Sequence, residues 1–403
     1  MLMTGSRSGS TGLPLSQKSP LSSIAIYLHI PFCRHKCPYC NFYVIPAEER
    51  FATPYLVALE QELQLRSPWL RGAVVDTLYL GGGTPTAMGA DWLSTLLDKI
   101  YPLLPLSSDC EITVEANPED LDLAFAKRLV KSGVNRVSLG LQSSEEALLP
   151  LLGRRHTARR AFDAIYSCAE AGIERLSVDL MYQLPSQSHG SWESTLAKVV
   201  ELPIDHLSLY ELTIEPHTSF YKKRQQLAGE LPSQEEGAEM YRVARQRLEQ
   251  QGFSQYEVAS FARSHSSRSR HNIGYWTGRS FLGCGPSAHS YWDGRRFANW
   301  AHFHKWQRAI TAQDLAGALQ FEEELPPLAR RAELLAVGLR FLEGIDLDSF
   351  VDRWGAIDEE LQSTIDQLTS AGLLSIEKGR LRLTERGLFV YDAVAVELIR
   401  LPA

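Results

Sequence analysis

The stretch IAIYLHIPFCRHKCPYCNFY, Ile24 to Tyr43, decides how the rest of the chain is read. Its first seven residues are β-rich and Pro31 stops the run. Cys33, Cys37 and Cys40 then follow within eight residues. A strand that hands three thiols to a loop puts a ligand set at one end of a sheet. Further along, β-rich runs recur at VVDTLYL (74–80), EITVEA (111–116), RVSLGLQ (136–142), RLSVDLM (175–181) and HLSLYELTI (206–214). Stretches with helical spacing lie between them, such as YLVALEQELQL and ARRAFDAIYSCAEAG. Gly133 and Gly172 each close one, as glycines do at helix C-termini.

Alternating strands and helices predict parallel pairing through crossover helices. Six such strands are too few for a closed eight-stranded barrel. The expected fold is therefore α/β, an open partial (β/α)6 barrel with its chemistry at the C-terminal strand ends. Notable residues stand at that rim: GGGTP (81–85), Glu115 followed by Asn117-Pro118, Gln142 and Asp179. Past about residue 220 the rhythm is lost. Charged helical sequence leads to RHNIGYWTGRSFLGCGPSAHSYW (270–292). Helical stretches then precede LLSIEKGRLRLTERG, two short strands around a Lys-Gly turn that resemble a winged-helix module. The expected organisation is a disordered tail (1–23), the barrel (24–220), an accessory region (221–325) and a C-terminal winged-helix-like domain (326–403).

Bulk properties exclude several classes. With 403 residues, 44% hydrophobic and 22% charged, the chain is ordinary for a globular protein. A net charge of −7 argues against bulk nucleic-acid binding, so no nucleic-acid partner is expected. Six cysteines, half of them in one loop, do not make a disulfide framework and fit a reducing, cytoplasmic compartment. No apolar run approaches a membrane span. Residues 1–23 are Ser- and Gly-rich and lack the apolar centre of a signal peptide, although a short transit peptide has similar composition.

Zinc is the plain reading of the cysteines, but structural zinc takes four ligands. Cys110, Cys168 and Cys284 are isolated; His29 lies on the strand and His35 within the loop. A [4Fe–4S] cluster is normally held by four thiolates, and three leave one iron open to a non-protein ligand. The Cys-x3-Cys-x2-Cys spacing straight after a first strand resembles the radical S-adenosylmethionine (SAM) superfamily. That resemblance implies that the open iron chelates SAM and that an electron from the cluster cleaves it. The segment Gly82, Gly83, Thr84 then resembles the superfamily's methionine-binding motif, where glycine lets backbone approach a small charged group.

YLHIPFC, GGGTPT, EANP, LGLQS, GRRH and DLMYQLP resemble the oxygen-independent coproporphyrinogen III oxidase family over residues 24 to about 390. The resemblance puts Tyr27 near the cluster and SAM. It places Glu115, Gln142, Arg154 and Asp179 where the family holds the methionine and ribose portions. The residue types suit, since carboxylates take an ammonium or ribose hydroxyls and Arg a carboxylate. Taken singly, Glu115 reads equally well as a turn residue and Arg154 as a solvated helix end.

Where the oxidase branch continues Cys-x-Cys, this chain has Cys40-Asn41-Phe42. The fourth cysteine is not a cluster ligand in the resembled enzymes, so the cluster should survive, and Phe42 is counted with the SAM site. Its loss marks the HemW branch. HNIGYW (His271, Asn272, Tyr275, Trp276) matches a signature associated with heme binding there. Imidazole ligates heme iron, and Tyr and Trp stack on a macrocycle. His271 is one candidate ligand; His289, His302, His304 and Cys284 lie near it in sequence, and the residues of the signature read alternatively as packing the accessory region onto the barrel.

The expected function is a heme chaperone carrying a [4Fe–4S] cluster and SAM. Heme and heme-accepting proteins such as membrane-bound cytochromes are the implied partners, with a homodimer and a transient peripheral membrane association. The alternatives are coproporphyrinogen III oxidation and another radical SAM reaction.

Overall fold

The computed structural model describes residues 23–400. The tail expected over 1–23 lies outside the described residues except for Ser23. Six strands, β1 (Ile24–Ile30), β2 (Val75–Gly82), β3 (Leu106–Ala116), β4 (Arg136–Gln142), β5 (Arg175–Tyr182) and β6 (His206–Glu211), pair in chain order and all parallel. The first five are followed by helices α1 (Glu49–Arg66), α2 (Ala90–Ile100), α3 (Leu123–Lys131), α4 (Ala158–Ala171) and α5 (His189–Val199). Gly172 caps α4 in the left-handed region, at φ 90°. This is the open six-stranded arrangement that the alternation predicts.

Parallel strands covered on both faces usually read as continuous apolar runs. Here they alternate. Ile26, Leu28, Leu78, Leu80, Val137, Leu139 and Val178 are buried on the helix side. On the other face the register sets Tyr27 beside Tyr79, Glu115 beside Ser138, and Asp179 between Gly140 and Ser208. The inner face is polar because it lines a ligand-sized interior.

The segment after residue 220 extends this sheet at both edges to twelve strands. β7 (Ser254–Gln255) and β8 (Ser260–Ala262) add antiparallel beyond β6. β9 (Phe281–Cys284) adds parallel to β1, and β10 (His289–Trp292), β11 (Arg295–Asn299) and β12 (Leu319–Glu324) continue antiparallel. Between these edges α6 (Arg270–Trp276) crosses the N-terminal strand ends. The Glu111 carboxylate accepts from the Arg270 and His271 amides at 3.2 and 3.0 Å, satisfying two free donors of the first turn. Arg279 fixes the exit of this segment with two 2.6 Å contacts to Asp76. α6 is thus the floor of the barrel.

A buried carboxylate ties α1 to the added strands. Glu62 accepts from Arg66, Asn299, the Gly285 amide and Trp306 at 2.7–3.0 Å. The C-terminal region starts with α7 (Pro327–Gly338). It continues through four further helices and a three-stranded sheet of Ile345–Asp346, Leu374–Glu377 and Arg380–Leu383. Its own apolar cluster includes Leu335, Phe350, Ile365 and Leu381. The Lys378-Gly379 turn has φ of 51° and 76°, positive at both positions as a tight hairpin requires.

Candidate cluster and cofactor site

Pro31 ends β1, and Phe32-Cys33 pairs with Ile45-Pro46, pinching the cysteine loop at its base. The Cys40 amide donates to the Cys37 carbonyl at 3.1 Å, and the Phe220 amide to the Pro38 carbonyl at 2.9 Å. Tyr39 packs on a small apolar cluster of Leu148, Leu152, Leu184 and Phe220. The loop is thereby held over the C-terminal rim with its three thiols half-buried.

Burial pushes the Cys33 thiol up to about 11, against the lowering effect of a 3.4 Å contact with the Thr84 hydroxyl. Cys40 is raised for the same reason. These thiols need an electrophilic metal to exist as thiolates at neutral pH. A single zinc ion wants four donors around one point, and among the described residues no three His, Cys, Asp or Glu side chains converge in that way. Cys110, Cys168 and Cys284 are buried elsewhere. Three rim thiols with no fourth suit a [4Fe–4S] cluster whose last iron takes an external ligand.

The GGGTP segment runs beside the loop's entry. The Gly83 amide donates to the Ile30 carbonyl at 2.8 Å, and the Thr84 amide to that of Phe32 at 2.7 Å. Gly82 has φ 105°, and a Cβ there would lie 2.4 Å from the His29 ring. The Gly82 amide is taken by Glu115 at 3.0 Å. With these three amides engaged, the segment meets a ligand through carbonyl oxygens, which suit an ammonium.

A chain of polar contacts encircles the rim. The Thr84 hydroxyl touches Cys33 Sγ and accepts from Asn117 Nδ2 at 3.1 Å. Asn117 Oδ1 accepts from Arg154 Nη1 at 2.8 Å, and the Tyr39 hydroxyl from Arg154 Nη2 at 2.5 Å. Arg154 Nε is buried without a partner, an orphan donor beside the cysteine loop. A Cβ on Gly140 would stand 2.9 Å from Gln142 Nε2, so glycine leaves room for Gln142, itself left-handed at φ 67°, to reach over the strand end.

Glu115 accepts from the Tyr79 hydroxyl at 2.8 Å. Burial, with the charge of Asp179 added, pushes its pKa up to about 7. Burial likewise raises Asp179 to about 6, although Ser138 and Ser208 hydrogen-bond to it. Two facing acids held near neutral pKa call for a cationic ligand.

HNIGYW divides between two environments. His271 is 1% exposed, with Nδ1 3.0 Å from the Thr77 hydroxyl and Nε2 2.7 Å from that of Tyr275. Its ring lies 4.9 Å from Tyr79, within the barrel floor, and burial and Arg279 hold it neutral. In this state both ring nitrogens are already hydrogen-bonded, as in the packing alternative read from the sequence. Asn272 is on the same floor helix, its amide received by Ser269 at 3.3 Å. Tyr275 and Trp276 instead line a cavity of about 830 Å³. Tyr27, Gly82, Glu115 and Phe42 line it together with residues of β10–β12 and α7. Phe42 is 57% exposed at its wall.

Thus the cysteines, Tyr27, Gly82, Gly83, Thr84, Glu115, Gln142, Arg154 and Asp179 share one rim, whereas His271 and Asn272 sit below it. Sequence reasoning passed over Tyr39, Tyr79 and Ser208. The in-out alternation along the strands is the signal that would have flagged the last two.

Comparison with known proteins gives the family. The model of the radical SAM superfamily matches residues 27–199, and that of the HemN C-terminal domain matches 325–390. A protein named heme chaperone HemW from Bacillus subtilis is 34% identical, covering 90% of this chain and 95% of its own. The protein of that name from Mycobacterium tuberculosis is also 34% identical, over 96% and 97%. The mitochondrial radical S-adenosyl methionine domain-containing protein 1 of Bos taurus is 32% identical, over 96% and 90%. Among solved structures, the coproporphyrinogen III oxidase HemN of Escherichia coli superposes with a TM-score of 0.83 at 24% identity, covering 95% of this chain and 92% of that one. With the relationship to the chaperones running almost end to end, the chain belongs to the HemW family of the radical SAM superfamily.

Proposed function

We propose that the chain is a heme chaperone: it holds a [4Fe–4S] cluster and SAM at the barrel rim, takes up heme, and passes it to acceptor hemoproteins. The observation that carries this reading is the 830 Å³ cavity, which is large enough for a flat cofactor and is walled by aromatic side chains next to the cluster loop. Relatives matched over nearly their whole length are named as heme chaperones.

Cys33, Cys37 and Cys40 would ligate the cluster. When bound, it offers an open iron to the amino and carboxylate groups of SAM and an electron for its cleavage. Glu115 and the carbonyls of Gly82 and Gly83 accept from the amino group, and Glu115 faces the positive charge of the sulfonium. Arg154, with its unused Nε, takes a carboxylate or ribose oxygen, and Asp179 and Gln142 take the ribose. Tyr27 and Phe42 bound the site on the cavity side, and Thr84 steadies Cys33.

Membrane-bound cytochromes as acceptors, a homodimer through the cluster region, and a cytoplasmic location with transient membrane contact belong to the same proposal. No helix among the described residues is long and apolar enough to cross a membrane.

The test is transfer. Cluster-loaded protein charged with hemin is mixed with an apo-hemoprotein, and the same preparation is assayed for vinyl product from coproporphyrinogen III with SAM and a reductant. Formation of the holo-acceptor spectrum without vinyl product is expected. Vinyl product without hemin binding would return the chain to the oxidases.

A further inference from the structure

We propose that His289, at the start of β10, is the side chain that ligates heme iron, with Arg330 receiving a propionate. The inference rests on the heme-chaperone reading and deepens it by assigning the ligand within the cavity. Few nitrogens and sulfurs near the cavity are free. His29 lines the cavity, but its Nε2 donates to the Tyr43 carbonyl at 3.0 Å and its Nδ1 accepts from the Tyr27 hydroxyl at 3.1 Å. His271 has both nitrogens engaged in the barrel floor. His302 caps the helix Phe303–Thr311, accepting from the Lys305 amide, and neither it nor His304 borders the cavity. Cys284 is fully buried.

His289 differs on each count. It lines the cavity, it is only partly buried, and among the described residues neither ring nitrogen has a hydrogen-bond partner. Partial burial lowers its pKa, which favours the neutral imidazole that binds metal.

The surroundings suit a flat, dianionic macrocycle. Phe321 lies 5.8 Å from the His289 ring, and Tyr275 and Phe281 meet edge to face at 4.5 Å. These side chains belong to three separate elements around one cavity, so they offer aromatic surface from more than one side. Two arginines stand at the far wall. Arg296 is held by Glu323 and Glu333 at 2.6 and 2.5 Å. Arg330 donates Nε to the Tyr291 hydroxyl at 3.0 Å but has only a 3.4 Å pair with the half-exposed Asp293. A carboxylate can displace that partner at little cost, because an exposed ion pair is weak. The cavity lining therefore holds both a free imidazole and a guanidinium whose one ion pair is weak.

The experiment is a hemin titration of the full, cluster-loaded chain, followed by absorption and electron paramagnetic resonance. It compares wild type, His289→Ala, His289→Ala with added imidazole, and His271→Ala. His289 points away from the core, so its loss should leave the cluster absorption intact and show that the fold persists. The expected result is a shifted Soret band and at least a tenfold weaker complex in His289→Ala, with the wild-type ligand signature restored by imidazole. His271→Ala should keep the wild-type signature. An unchanged spectrum and affinity in His289→Ala would overturn the assignment, as would loss of the signature in His271→Ala with its cluster intact. If wild type itself takes no hemin, the chaperone reading falls first and the assignment with it.

Discussion

Glu115 concentrates the residue-scale argument. Its carboxyl is held near pKa 7 by burial and by Asp179, so the empty site exists in two protonation states around neutrality. A ligand that brings a positive charge, as SAM does with its sulfonium, prefers the ionised state. Affinity should then be fully present above pH 7 and fall as the pH drops through that value. For a single group with pKa about 7, the ionised fraction falls roughly tenfold from pH 8 to pH 6. Calorimetric titration of the cluster-loaded protein with SAM at those two pH values checks this, and Glu115→Gln should flatten the difference. At this scale the sequence showed which residue types reach the rim, because strand ends are legible. It did not show their partners. Tyr39 and Arg154 meet across 115 residues, and nothing local to either marks the contact. HNIGYW was legible as a motif, yet only packing tells that the His271 ring is already satisfied while His289 is free.

At the scale of elements, six strands were legible because β-rich runs and glycine-closed helices alternate with little interruption. β1 and β4 have the bounds read from sequence, and β3 begins earlier, at Leu106. The short edge strands and the role of α6 as a floor were not legible. Two- to six-residue strands carry almost no periodicity, and their pairing is decided by the open edges of β1 and β6. Two predictions belong here. Gly82→Ala forces a Cβ against His29 at a φ of 105°, so β2 must pull away from the loop entry and the protein should lose most of its bound iron. Gly72→Ala, at φ 77° with nothing within 4 Å of the new Cβ, is the control. It should cost about 1 kcal/mol of stability and keep the iron. Iron and sulfide content against a urea unfolding curve separates the two. The second concerns α1. Glu62→Ala removes the acceptor of four buried donors and leaves Arg66, 1% exposed, without its counter-charge. A loss of about 3–5 kcal/mol in chemical denaturation is expected.

On the scale of the whole molecule, the cofactor rim and the proposed heme cavity are one continuous space. Tyr27, Gly82 and Glu115, at its cofactor end, line the same cavity as His289 and Arg330. Charge on the rim is therefore felt where heme is held. Above pH 7 an ionised Glu115 repels a ferric heme, whose two propionates outweigh the single net charge of its iron. SAM brings a sulfonium and leaves this end of the cavity less negative. For two charges about 10 Å apart at an effective dielectric constant of about 20, the interaction is worth about 1–2 kcal/mol before salt screening. Cluster-loaded protein saturated with SAM should accordingly bind hemin about fivefold more tightly at pH 8 than the same protein without it, and hemin should strengthen SAM binding by the same factor. S-adenosylhomocysteine, which has the same nucleoside but no charge on sulfur, should give a smaller effect. Hemin titrations in the three states, repeated at higher salt, decide the matter. A fivefold gain that shrinks with salt means that the cofactor sets the field in which heme is received. Mutual exclusion would instead mean that heme reaches past Phe42 to the rim itself, and that SAM has to leave before the cargo can enter.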